Sequence, residues 1–163
     1  EGQMSDPYFP VNMTSMAAHR SFIEIGEERV NYDDLRLTSK RLNHPQGCLG
    51  YRIECDGKVL VYATDNEPGH PAGDKKVREL ADGADMLIYD AQLLPEEMRS
   101  HRAWGHSSWK EGVRIAKECK VRKLVLFHHD PDRSDAAVRR LAKHAADHFD
   151  DVVAAREGLT LKL

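Results

Sequence analysis

Through the first half of the chain apolar and polar residues alternate in short runs, the pattern of half-buried strands. Strands are predicted over 21–25, 30–32, 35–42, 50–54 and 59–63, and Asp56-Gly57 between the last two is a strong hairpin signal. After residue 70 the pattern changes. Helices are predicted over 74–81, over 107–119, where Ser108 and Glu111 have capping-box spacing, and over 134–149, where Val138, Leu141, Ala142, Ala145 and Phe149 share one stripe. Between and after them lie buried strands at 86–89 and 121–127 and short strands at 152–154 and 159–161. Antiparallel β first, then alternating β and α, predicts an α+β arrangement with a sheet under helices. The first twenty residues, with Pro7, Pro10 and the pair Tyr8-Phe9, read as an irregular segment that packs its aromatics onto something.

Three of the buried-looking strands finish on a group that could hold a metal or move a proton. "VLVYATD" ends on Asp65, "MLIYD" on Asp90 and "LVLFH" on His128. Side chains leave the core together at the carboxyl ends of strands joined by helical crossovers, so these residues are expected in one crevice. His44, closing the run "RLTSKRLN", and His106, just before a capped helix, extend the set to two carboxylates and three imidazoles. Carboxylate and neutral imidazole suit zinc, manganese or iron, and one carboxylate can bridge two ions about 3.5 to 4 Å apart. A histidine off the metal, held by a carboxylate, can protonate a leaving alkoxide. The dipole of the helix behind His106 is expected to lower its pKa and favour that donation.

Each residue also has a plain structural reading. A strand-end aspartate such as Asp65 or Asp90 is often a turn former or helix cap, His106 could merely cap its helix, and His128-His129 could be solvated loop. Adjacent strand residues point to opposite sides, so at most one of His128 and His129 should face the crevice. His19, His101, His144 and His148 read as surface residues, and His70 in Gly69-His70-Pro71 is left open.

Composition narrows the class. The chain has 163 residues, 40% apolar and 31% charged, with a formal net charge of −3, as in one globular domain over 1–163. No apolar run approaches a membrane span and no signal-peptide pattern opens the chain, so a cytoplasmic protein is expected, with no membrane partner. The balance of charge suggests no long nucleic acid as a partner. Cys48, Cys55 and Cys119 have no CxxC spacing and read as small buried hydrophobes. The chain begins Glu1-Gly2-Gln3, which suggests a cut from something longer.

In this order, "LNHPQGCLGYRI", "VYATDNEP", "ADMLIYDAQ", "WGHSSW" and "LVLFHHDPDRSD" resemble the second half of a metallo-β-lactamase-fold hydrolase, through to the closing "VAAREGLTLKL". The branch they most resemble is that of phosphodiesterases, including transfer-RNA 3′-processing endonuclease and the cyclic-phosphate phosphodiesterase of phosphonate breakdown. The resemblance implies a partial αββα sandwich and roles by position. His44 looks like a metal histidine, Asp65 like the carboxylate bridging both ions, and His128 like the last histidine ligand. His106 looks like the proton donor, with Asp90 orienting it, and His129 is a second ligand candidate.

The family's His-x-His-x-Asp-His signature does not occur in the 163 residues. The resemblance places it upstream, where it would give each ion two further ligands, whereas catalytic zinc ordinarily takes three from the protein. The chain alone is therefore expected to hold metal weakly, if at all, and to hydrolyse little. It is expected to associate with its missing N-terminal half or to form a homodimer that hides an exposed apolar face. The implied activity is metal-dependent hydrolysis, through metal-bound hydroxide, of a small phosphodiester or ester substrate that is cyclic or nucleotide-like. The alternatives are a non-catalytic regulatory or interaction domain, and a receiver domain phosphorylated on Asp65 or Asp90. Against the receiver stands the opening run of β-hairpins.

Overall fold

The computed structural model describes residue 3 and residues 6–163. Seven strands form one sheet in sequence order: β1 (Arg29–Tyr32), β2 (Leu35–Arg41), β3 (Leu49–Cys55), β4 (Lys58–Ala63), β5 (Met86–Asp90), β6 (Lys123–Phe127) and β7 (Val152–Ala154). β1 to β4 form an antiparallel meander, and β4 to β7 are parallel. The β3–β4 turn is built on Asp56 and Gly57, both with left-handed backbone (φ 50° and 72°), as the hairpin signal requires.

Parallel strands need crossovers, and these are α1 (Pro71–Ala81), α2 (Trp109–Glu118) and α3 (Asp135–Ala146). Each crossover advances one strand in the same direction. Because such connections are right-handed, all three helices fall on one face of the sheet, where α1 packs beside α2 and α2 beside α3. The core lies between the two layers, with Val61, Ala63, Leu87, Tyr89, Leu124 and Leu126 of the strands meeting Val77, Leu80, Ile115 and Leu141 of the helices. Arg52 on β3 donates to the carbonyls of Leu80 and Asp82, each at 2.8 Å, and so secures the end of α1. One sheet and one helix layer make half of a four-layer sandwich, in keeping with the partial fold expected. On the other sheet face the alternation places Leu60, Tyr62, Ile88, Val125 and Phe127, over which no helix of the described residues packs.

Several predicted elements differ. Residues 21–25 and 159–161 are irregular because no neighbouring strand pairs with them, and Phe22 and Ile23 remain exposed. Tyr8, 81% exposed, does not pack as predicted. α1 begins at Pro71, three residues early, because His70 caps it: its Nδ1 accepts from Gly73 N at 3.2 Å, and proline suits the first helical position. Ser108 and Ser134 cap α2 and α3. The cysteines are free, Cys119 buried and the other two half-buried. Among the described residues no helix is long and apolar enough to cross a membrane.

Leu87 sits at the centre of the two-layer core and is fully buried. Leu87→Ala should lower the unfolding free energy by about 2–5 kcal/mol, read as a lower urea midpoint at unchanged slope. A loss below about 1 kcal/mol would place the core elsewhere.

Candidate active site

The carboxyl ends of β2, β4, β5 and β6 and the loop leading into α2 bring together all five side chains singled out in the sequence. His44, Asp65, His106 and His128 line a cleft of about 660 Å³, with Asp90 beneath it and wholly buried. One nitrogen or oxygen from each of His44, Asp65 and His106 lies within 4.8 Å of the others, and the same holds for Asp90, His106 and His128.

Asp90 organises this set. Its Oδ2 accepts from Asp65 N at 3.0 Å and stands 3.1 Å from His106 Nδ1, and its Oδ1 accepts from Ser107 N at 3.0 Å and Gln92 N at 3.1 Å. A buried carboxylate needs such partners. The hydrogen bond to Asp90 raises the pKa of His106, against the opposing effect of burial. The lowering expected from the helix dipole is therefore corrected: a carboxylate in hydrogen-bond contact outweighs a partial charge at the helix end.

Asp65 and His128 follow their strands with left-handed backbone (φ 59° and 55°), conformations that non-glycine residues adopt at a cost. They break the strand alternation and bring His128 Nε2 to 3.4 Å from Asp65 Oδ1. The His128 ring stacks on that of His106 at 5.0 Å, and the His44 ring meets His106 edge-on at 5.7 Å. His44 Nδ1 accepts from Gln46 N at 3.3 Å, which leaves Nε2 to the cleft. Behind His44 the chain comes so close that a Cβ at Gly105 (φ 88°) would stand 2.1 Å from His44 Cδ2. His129 borders the cleft, but both its ring nitrogens are buried without a partner among the described residues, and burial lowers its pKa.

Sequence reasoning passed over the residues that hold the loops. Glu67 accepts from Ala103 N at 2.9 Å and Gly105 N at 3.0 Å, which fixes the loop before His106. Asn66, 1% exposed, accepts from Asn43 N at 3.1 Å and donates to the Tyr89 hydroxyl at 3.2 Å, linking the His44 and Asp65 turns to the core. The only trace of these roles in the sequence was an unusual "DNE" after a strand. Cys48, expected as a plain hydrophobe, donates its thiol to Asp65 O at 2.9 Å, and burial pushes its pKa up to about 11.

The donor set suits a divalent ion. Imidazole and carboxylate groups face one another at ligating separations, and the His106–Asp90 pair stands beside them.

Comparison with known proteins bears on the family and the fold. Residues 3–129 match the family described as the beta-lactamase superfamily domain. The ribonuclease Z of Archaeoglobus fulgidus is 32% identical over 107 residues, covering 66% of this chain and 33% of that protein. The metallo-beta-lactamase fold protein YhfI from Bacillus subtilis shares the fold with a TM-score of 0.68 at 22% identity, over 84% of this chain and 54% of that one. Human tRNase Z, short form, does so at 0.63 and 21%, over 82% and 45%. The chain thus spans about a third of that ribonuclease Z and about half of each of these structures.

The names of these relatives overturn the expectation that no long nucleic acid is involved, since ribonuclease Z and tRNase Z are named for RNA. That expectation rested on net charge, which sums over a whole chain and says little about one cleft. Four strand-end and loop residues lining one cleft over the buried Asp90, on a sheet of this topology, and a family match over residues 3–129 lead to one assignment: the chain belongs to the metallo-β-lactamase superfamily.

Proposed function

We propose that the protein takes part in metal-dependent hydrolysis of phosphodiester bonds in RNA. The observation that carries this reading is the His106–Asp90 pair, 3.1 Å apart, beside the His44, Asp65 and His128 side chains. His44, Asp65 and His128 would hold zinc, with manganese or iron as alternatives. When bound, such ions polarise a phosphoryl oxygen, activate the attacking water and offset developing negative charge.

The chain's own residues do the rest. Asp90, held by three backbone amides, fixes His106 through Nδ1. His106 Nε2–H is then the proton that leaves with the alcohol, and the hydrogen bond to Asp90, which raises the pKa, favours the protonated ring that supplies it. Asp65 would face the metal while its backbone N–H donates to Asp90, so the metal and proton-transfer halves of the site share one carboxylate.

The direct test is cleavage of a short RNA by the metal-loaded protein supplied with the N-terminal half that would carry the His-x-His-x-Asp-His signature, followed by a chelator. Loss of cleavage on chelation and recovery with zinc is expected; cleavage that ignores the chelator would sink the reading. His106→Gln should reduce kcat by about 10²–10⁴ while zinc stoichiometry stays the same. A parallel loss of zinc would make His106 a ligand instead, as its place in both ligand groups allows.

The pH profile has a definite sign. His106 donates only when protonated, and its pKa is raised, so activity should persist above the ordinary imidazole range and fall as pH rises through the raised value. Asp90→Asn removes the main cause of the shift and should move that alkaline limb to lower pH. An unmoved limb would assign it to another group.

For the metal itself, Asp65→Ala and His128→Ala should each weaken zinc binding by calorimetry by more than the about 10- to 100-fold typical of outer-shell partners. Unchanged affinity in both would remove these residues from the ligand set.

A further inference from the structure

Trp104 lines the same cleft as His106, two residues away, yet it is 55% exposed, whereas Trp109 is 9% exposed. A single exposed aromatic is ordinary on a protein surface. What sets this one apart is how firmly it is held. The amides on either side of it, Ala103 N and Gly105 N, both donate to the carboxylate of Glu67, which comes from the turn after β4. Both flanking residues take left-handed backbone (φ 65° and 88°), Ala103 without the freedom of glycine. The His101 ring abuts the indole in a T-shaped contact at 4.4 Å, and His101 Nδ1 itself lies 3.0 Å from Glu97 O and from Ser100 Oγ.

With its backbone fixed and one edge set against His101, the indole has less freedom left for ligand binding to remove. A flat apolar face fixed at the mouth of a polar cleft suits a flat partner. Every nucleobase offers a π-face, and RNA-binding sites take up unstacked bases on such aromatic rings.

We propose that Trp104 is a stacking platform for a nucleobase adjoining the scissile phosphodiester, with Glu67 as the positioning residue that presents it. The proposal rests on the reading of the cleft as an RNA phosphodiesterase site. It makes the protein read the presence of a base while discriminating little among bases, because stacking needs no particular hydrogen-bonding edge.

The test compares adenosine 5′-monophosphate with ribose 5-phosphate, which share the phosphate and sugar and differ in the base. Affinities come from calorimetry on the protein, and intrinsic fluorescence reports the ring contact. The monophosphate should bind about 5- to 150-fold more tightly than the sugar phosphate, the range of base–aromatic stacking, and should quench the exposed tryptophan. Trp104→Leu should abolish that preference and leave ribose 5-phosphate affinity unchanged, and Trp104→Phe should keep part of it. Glu67→Gln, which puts an amide N–H in place of one accepting oxygen, should reduce the preference with the ring still present. A purely structural tryptophan would lower both affinities together.

Equal affinity for the two ligands in the parent protein, or a preference that survives Trp104→Leu, overturns the proposal; so does the absence of binding by either. Metal-dependent RNA cleavage is measured on the same variants supplied with the N-terminal half that would carry the His-x-His-x-Asp-His signature. Cleavage with no base preference rejects the platform alone, and absence of both rejects the phosphodiesterase reading with it.

Discussion

The buried carboxylate of Asp90 is the constraint on which the site depends. It receives Asp65 N from the loop after β4, and Gln92 N, Ser107 N and the His106 ring from the two ends of the loop between β5 and α2. The Asp90 carboxylate is 0% exposed, so water cannot replace these donors, and the loop after β4 and both ends of the β5–α2 loop are fixed by one another. An uncompensated charge at this depth is unfavourable, and its donors are satisfied nowhere else in the described hydrogen bonding. The site geometry and the solvation of one carboxylate are therefore the same physical fact.

Much of the fold was legible because its signals are local. Period-two runs gave β1 to β4 nearly to the residue, the Asp56-Gly57 pair gave the β3–β4 turn, the capping-box serine Ser108 gave the start of α2, and an apolar stripe gave α3. Where prediction failed, the missing information was non-local. Phe22 and Ile23 have strand propensity, but a strand exists only where another lies beside it. His70 carried no visible role until the helix it caps was in place.

The site divides in the same way. Strand ends converge by topology, so Asp65, Asp90 and His128 could be picked out from three short strings, and His44 and His106 by their place beside them. The direction of the His106 pKa shift was misjudged because only the dipole of the following helix was weighed, and not the charge of Asp90, which the resemblance already set beside the ring. The partner expectation failed for a related reason: net charge is an average, and the cleft that matters is local.

The polar braces around the cleft form a second framework, separate from the apolar core. Glu67 grips the loop before His106, and Asn66 joins the His44 turn to Tyr89. Arg133, almost wholly buried, donates to Gln92 O at 3.1 Å and Glu97 at 2.8 Å, tying the loop after β6 to that after β5. The core holds the strands in one sheet and fixes where their ends emerge. It cannot fix how the emerging turns face one another, because a turn has too few apolar contacts to set its own orientation. That task falls to charged and amide side chains bonded to the backbone of neighbouring loops. It explains how Asp65 and Ala103 hold left-handed conformations that their own sequences would not favour. Local strain at the site persists because contacts from distant parts of the chain over-determine it.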